Sequence, residues 1–177
     1  MADYLKHESS RYLYNLYLSL KNSDTNNNIK TYLTIDNENN YNNMKQTVNE
    51  WLQDKNQIEG IRIIIIQSDG SVSYDSNVSN NNIYQNINKP RPDFLTTGRY
   101  LININHGVRH YFQQAISSDD GIFYAEKYSN SVNKNLLYLS LREGLNKNIA
   151  KGVIVITVSD KYKYKMYEYT KSKFYLF

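Results

Sequence analysis

Residues 61–76 read IRIIIIQSDGSVSYDS, and the two halves of that stretch carry different patterns. Ile61 to Ile66 is a β-branched run interrupted only by Arg62, which predicts a strand buried on both faces. Ser68-Asp69-Gly70 then supplies a tight turn. Beyond it, Val72 and Tyr74 alternate with Ser71, Ser73 and Asp75, so the chain returns antiparallel as a hairpin. Further along, Ile122 to Tyr128, Leu136 to Leu141 and the nearly continuous apolar stretch Gly152 to Val158 predict three more strands, joined by Asn-rich and Gly-containing turns.

Helical spacing surrounds these strands. Leu5, Leu13, Leu16, Tyr17 and Leu20 recur along Asp3 to Asn22, which predicts a long amphipathic helix. Met44, Val48, Trp51 and Leu52 predict a second helix that ends before Gly60. Between them, Asn22 to Asn43 is polar, and Tyr32, Leu33 and Ile35 read as a short extended segment within a loop. A long loop from Asn77 to Thr97 contains Pro90 and Pro92. After it, Asn105 is placed to cap a helix with Val108, Tyr111, Phe112, Ala115 and Ile116 on its apolar face, ended by Asp119-Asp120-Gly121.

The chain has 177 residues, a net charge of +4, 18 Tyr, 5 Phe and no Cys, with a mean hydropathy of -0.69. That length suits one domain burying roughly 70% of its unfolded surface. The absence of cysteine excludes disulfide scaffolds, thiolate zinc sites, iron–sulfur clusters and cysteine nucleophiles. No phosphate-cradling GxxxxGK[ST], dinucleotide GxGxxG or GxSxG elbow is present. The polar start and the shortness of the apolar runs lead to the expectation of a soluble, intracellular protein with no membrane span. The bias toward Asn, Ile, Lys and Tyr resembles proteins of large DNA viruses with A/T-rich genomes.

Several residues are candidates for chemistry. His106 and His110 are spaced i, i+4 on the expected helix, yet Gly107 stands where a zinc-protease signature needs Glu. Both rings are expected to face solvent, so no metal site is assigned. Arg109 lies near the apolar margin, where it can reach a carboxylate ligand. Tyr124, Glu126 and Tyr128 share one face of a strand, with Phe123, Ala125 and Lys127 on the other. If the first face is inward it forms an aromatic cavity with one carboxylate; if outward, it covers a solvated sheet. From Asp160 to Phe177, Lys161, Lys163, Lys165, Lys171 and Lys173 stand against Asp160 and Glu168, leaving this tail at +3. Its KYKYKMYEY alternation fits an edge strand, or a basic-aromatic surface that stacks bases and neutralises phosphates.

The element order, with the hairpin IRIIIIQSDGSVSYDS, the helix segment HGVRHYFQQAISSDDG and the meander GIFYAEKYSNSVNKNLLYLSLREGLNKNIAKGVIVITVS, resembles the PAS/Cache-like sensor domains. The resemblance spans about Ile58 to Ser159 plus the preceding helix. It implies an α+β fold, with a central antiparallel sheet of about five strands, helices packed on it and a long N-terminal helix that commonly pairs two copies. It divides the chain into a helical segment with an Asn-rich loop (1–57), the sheet domain (58–159) and a Lys/Tyr-rich strand or tail (160–177), all within one globular unit. By element, it places Tyr74, Arg99, Tyr100, Tyr111 and Tyr138 around a small-molecule pocket, joining Arg109, Tyr124, Glu126 and Tyr128. The expected function is a non-enzymatic, cofactor-free module that binds a small polar ligand or a protein, as a homodimer through Asp3–Asn22. The alternative is a structural or packaging protein that holds nucleic acid or a protein partner through the basic C-terminus.

Overall fold

The computed structural model describes residues 14–54, 61–77, 105–129, 134–144 and 149–159. The hairpin comprises β1 (Ile61–Gln67) and β2 (Val72–Asp75). The meander comprises β3 (Ile122–Ser129), β4 (Lys134–Glu143) and β5 (Gly152–Ser159). All pairings are antiparallel and the spatial order is β2-β1-β5-β4-β3, so β5 pairs with β1 and joins hairpin to meander.

Helices cover both faces of this sheet, and that explains the unbroken apolar run of β1. Ile63 and Ile65 join the core shared with α1 (residues 14–21), α2 (Asp24–Thr34) and α3 (Glu38–Asp54). Ile64 and Ile66 point the other way, into a core shared with α4 (His110–Ser117). All four isoleucines are buried, each contributing about 2 kcal/mol of hydrophobic stabilisation. Strand β5 follows the same logic, with Ile154, Ile156 and Val158 in the first core and Val153 and Val155 in the second.

The N-terminal layer contains more helix than the sequence suggests. Residues 24–34, expected as loop with a short extended piece, form α2. Its buried positions are Thr25, Asn26, Ile29 and Tyr32, so half of the inward stripe is polar and the helical period is masked. Thr25 Oγ1 donates to the Thr47 carbonyl of α3 at 3.1 Å, and Tyr32 meets Tyr41 edge-on at 5.4 Å. The Asn37 side chain accepts from the Asn40 amide at 2.8 Å and caps α3. Trp51 is buried in this layer as anticipated, its indole donating to Ser19 Oγ at 3.3 Å. Leu16 and Leu20 of α1 are also buried in the domain's own core.

The hairpin turn shapes what lies on the opposite face. Gly70 has φ +88°, and a Cβ there would stand 2.5 Å from Asn105 Oδ1 and 2.7 Å from Gly107 Cα. Glycine is therefore required by conformation and by contact. The turn clasps residues 105–107: the His106 amide donates to the Gly70 carbonyl at 2.7 Å, and Asn105 Nδ2 donates to the Asp69 carbonyl at 3.0 Å. Asn105 Oδ1 accepts from the Gly107 amide at 2.7 Å. Asn105 thus holds a turn instead of capping a helix, and α4 begins only at His110. At its other end, the Arg142 guanidinium donates to the carbonyls of Ile116 at 3.0 Å and Ser118 at 2.5 Å, satisfying groups the helix leaves open.

Candidate functional site

The face of the sheet under α4 is built mainly from Ile and Val, with polar side chains set among them. Antiparallel register aligns Arg62 with Thr157 and Tyr138 in one row, and Asp75 with Ile64, Val155 and Ser140 in the next. Arg62 Nε donates to Asp75 Oδ1 at 2.8 Å and a terminal guanidinium nitrogen donates to Oδ2, a two-pronged ion pair. The Asp75 side chain is 2% exposed and that of Arg62 24%. Burial pulls Arg62 toward its neutral form, and the Asp75 carboxylate more than offsets this, so its pKa is raised. Asp75 Oδ1 also accepts from the Asn77 amide at 3.0 Å.

An aromatic cluster adjoins this pair. Tyr111 from α4 stacks on Tyr138 from β4, with ring centroids 5.4 Å apart and 13° between planes. The Tyr111 hydroxyl lies 2.8 Å from His106 Nδ1. His106 is only 9% exposed; burial, with the charges of Arg109 and Arg62 added, lowers its pKa to about 4. The ring is therefore neutral near pH 7, with one nitrogen a donor and the other an acceptor, and it shares a hydrogen bond with the Tyr111 hydroxyl through Nδ1. Burial pushes the Tyr111 hydroxyl up to about 12. His110 meets Tyr138 edge-on at 4.9 Å and Phe123 at 5.8 Å. Burial, Lys127 and Arg109 lower its pKa. Two buried polar atoms on this face, His110 Nε2 and Ser140 Oγ, have no hydrogen-bond partner.

These groups suit recognition better than proton transfer. A histidine titrating near 4 is neutral near pH 7, offering one donor and one acceptor, and is a poor proton carrier. The Arg62 guanidinium, 24% exposed, can meet an anion and the stacked tyrosines a flat or apolar body, whereas Asp75, 2% exposed, is engaged by Arg62 through both oxygens. Among the described residues, no group of three His, Asp or Glu side chains is placed to hold a metal ion.

The sequence-derived candidates divide across the molecule. Tyr111 and Tyr138 are brought together, and Arg109 precedes α4 as an exposed residue acting through space on His106. Tyr74 points to the opposite face, where its hydroxyl donates to Asn49 Oδ1 at 2.7 Å. Tyr124 also packs against the opposite core. Along that face Glu126 and Tyr128 are exposed, while Phe123 joins the α4 side. The two histidines, expected in solvent, depart from that expectation because residues 105–109 form a turn and not a helix: His106 is buried and His110 half-buried. Val108, assigned to the apolar face of the helix, is 88% exposed for the same reason. Arg99, Tyr100, Lys161, Lys163, Lys165, Lys171 and Lys173 lie outside the described residues. Arg62 and Asp75 were missed, although a lone arginine in an isoleucine strand was a visible signal.

No protein-family model and no curated protein matches the chain. Solved structures do. The sensory domain of the Campylobacter jejuni chemoreceptor Tlp3 superposes with a TM-score of 0.54 at 15% identity, covering 93% of this chain and 61% of that one. Its ligand-binding domain in complex with 4-methylisoleucine gives 0.53 at 14% identity, covering 93% and 59%. The sensor domain of the V. cholerae histidine kinase DctB gives 0.54 at 16% identity, covering 92% and 55%. The chain has the α+β architecture of these Cache-like sensor domains and spans about three-fifths of their length. Among the described residues, no helix is long and apolar enough to cross a membrane.

Proposed function

We propose that the chain is a non-enzymatic sensor module that binds a small polar ligand on the α4 face of the sheet, against Arg62, Asp75, His106, Tyr111 and Tyr138. The observation that carries this reading is the Arg62–Asp75 ion pair set into the α4 face of the sheet beside Ile64 and Val155. Ion pairs buried in such surroundings add little stability compared with apolar side chains of similar volume. A structural purpose alone therefore accounts poorly for this one, and clustered, perturbed groups are characteristic of binding sites. The orphaned His110 Nε2 and Ser140 Oγ supply further hydrogen-bonding capacity on the same face.

A zwitterion that opens the pair is the ligand chemistry that uses both members, its carboxylate at the 24% exposed Arg62 and its ammonium at Asp75, which is 2% exposed while the pair is closed. The complexes of Tlp3 with L-valine and 4-methylisoleucine make amino acids the first compounds to try. The test is a thermal-shift panel of L-amino acids with their des-amino and decarboxylated analogues. At a hundred times Kd, binding stabilises the native state by about 2.7 kcal/mol and raises Tm by about 5–10 °C for a chain of this size. The reading requires a saturable shift from a zwitterion, reduced in its analogues and in Arg62→Gln. A panel that produces no saturable shift, or a shift indifferent to Arg62→Gln, overturns it.

A further inference from the structure

A concavity lies on the sheet face covered by α1–α3, where α1 and α2 meet the ends of β4 and β5. It encloses about 630 Å³. Its inner wall is apolar, with Leu141 and the ring of Tyr17. Lys21 from α1, Lys30 from α2 and Lys151 just before β5 also line it, together with Glu143 at the end of β4. All three lysines are exposed, act electrostatically on Glu143, and come from separate elements. The other charged lining groups, Arg142 and Asp120, offset each other in charge; the guanidinium donates to the end of α4, and Asp120 accepts from Ser118 Oγ at 2.5 Å.

We propose that this cavity binds a small organic dianion, of which a phosphate monoester is the type case. Three ammonium groups facing one carboxylate leave an excess of two positive charges, which a dianion neutralises. Two of the lysines are already oriented, so less side-chain entropy is lost on binding. Lys21 Nζ sits 5.5 Å from the Tyr17 ring centroid, and Lys151 Nζ donates to Thr34 Oγ1 at 2.9 Å. The apolar wall at Leu141 and Tyr17 gives the organic body somewhere to go, which inorganic phosphate would leave unused. Burial raises the pKa of Glu143 in spite of its lysine neighbours, so an anionic ligand meets a carboxylate already biased toward protonation. Neither the three lysines nor Glu143, Leu141 and Tyr17 belong to the α4 face, and this site stands or falls independently of the function proposed above.

The test is calorimetric titration of the full chain at low salt with phenyl phosphate, with inorganic phosphate, phenol and benzylamine as separate arms. Phenyl phosphate is expected to bind saturably and about tenfold more tightly than inorganic phosphate, and phenol not to bind. Lys30→Gln and Lys151→Gln, both at exposed positions that leave the core intact, are each expected to weaken binding about tenfold. Lys30→Arg restores it, and Glu143→Gln strengthens it. The proposal is overturned if phenyl phosphate fails to saturate by about 10 mM. It is overturned equally if affinity is indifferent to both lysine variants, or if benzylamine binds in preference.

Discussion

Acid should destabilise this protein through one histidine. His106 titrates near 6.5 when exposed in the unfolded chain and at about 4 when folded. The folded value is depressed, so the unfolded state takes up the proton first as pH falls. Stability held above pH 6.5 is lost progressively below it, and the loss is complete once pH passes about 4. At about 1.4 kcal/mol per pH unit, the total is about 3 kcal/mol. The single Trp51, buried in the opposite core, reports unfolding without touching the site. Urea titrations of the wild type and His106→Gln at pH 7, 6, 5 and 4 isolate the effect, because His110, Glu143 and the other carboxylates titrate in both proteins and cancel in the difference. With a slope of about 2 kcal/mol/M for a chain of this length, the gap between the two midpoints should shift by about 1.5 M from pH 7 to pH 4, at the wild type's expense. A gap independent of pH would refute the burial and neutrality of His106.

Two further outcomes follow from the same corner of the fold. Asp75→Asn strips the charge partner from Arg62 and should cost about 3 kcal/mol in urea unfolding, the low end for a buried pair because Arg62 keeps some solvent contact; a loss below about 0.5 kcal/mol would place the pair with ordinary surface bridges. Gly70→Ala forces a side chain into a left-handed turn and against Asn105 and Gly107, so it should cost about 2 kcal/mol. It should also move the NMR-measured pKa of His106 up toward 6.5 as the 105–107 segment loosens, and an unchanged value would separate the turn from the site.

The sheet was legible because period and turn chemistry agree. The run at Ile61 to Ile66, the Asp69-Gly70 turn and the alternation in β3 each read as strand or turn, although which face of β3 looks inward stayed open, and the observed antiparallel pairs contain them. Helix α2 was not legible, because Thr25 and Asn26 occupy half of its buried stripe and local Asn content reads as loop. The histidines were misplaced by extending the period of α4 back through a turn whose shape is set by contact with Asp69 and Gly70, far away in sequence. Of the candidate cluster, Tyr111 and Tyr138 were named through the resemblance, which places them by element, and the structure stacks one on the other. The charged half needed the hairpin register, which brings Asp75 beside Ile64 and within reach of Arg62.

The most direct test of ligand recognition on the α4 face is a heteronuclear NMR titration with whichever zwitterion gives the largest thermal shift, following the side-chain resonances of His106, Tyr111 and Tyr138 alongside those of Tyr32 and Tyr41. Saturable shifts confined to the first three, with Tyr32 and Tyr41 silent in the opposite core, are the expected result. Shifts centred on Tyr32 and Tyr41, or no perturbation of His106 at saturating ligand, would contradict it.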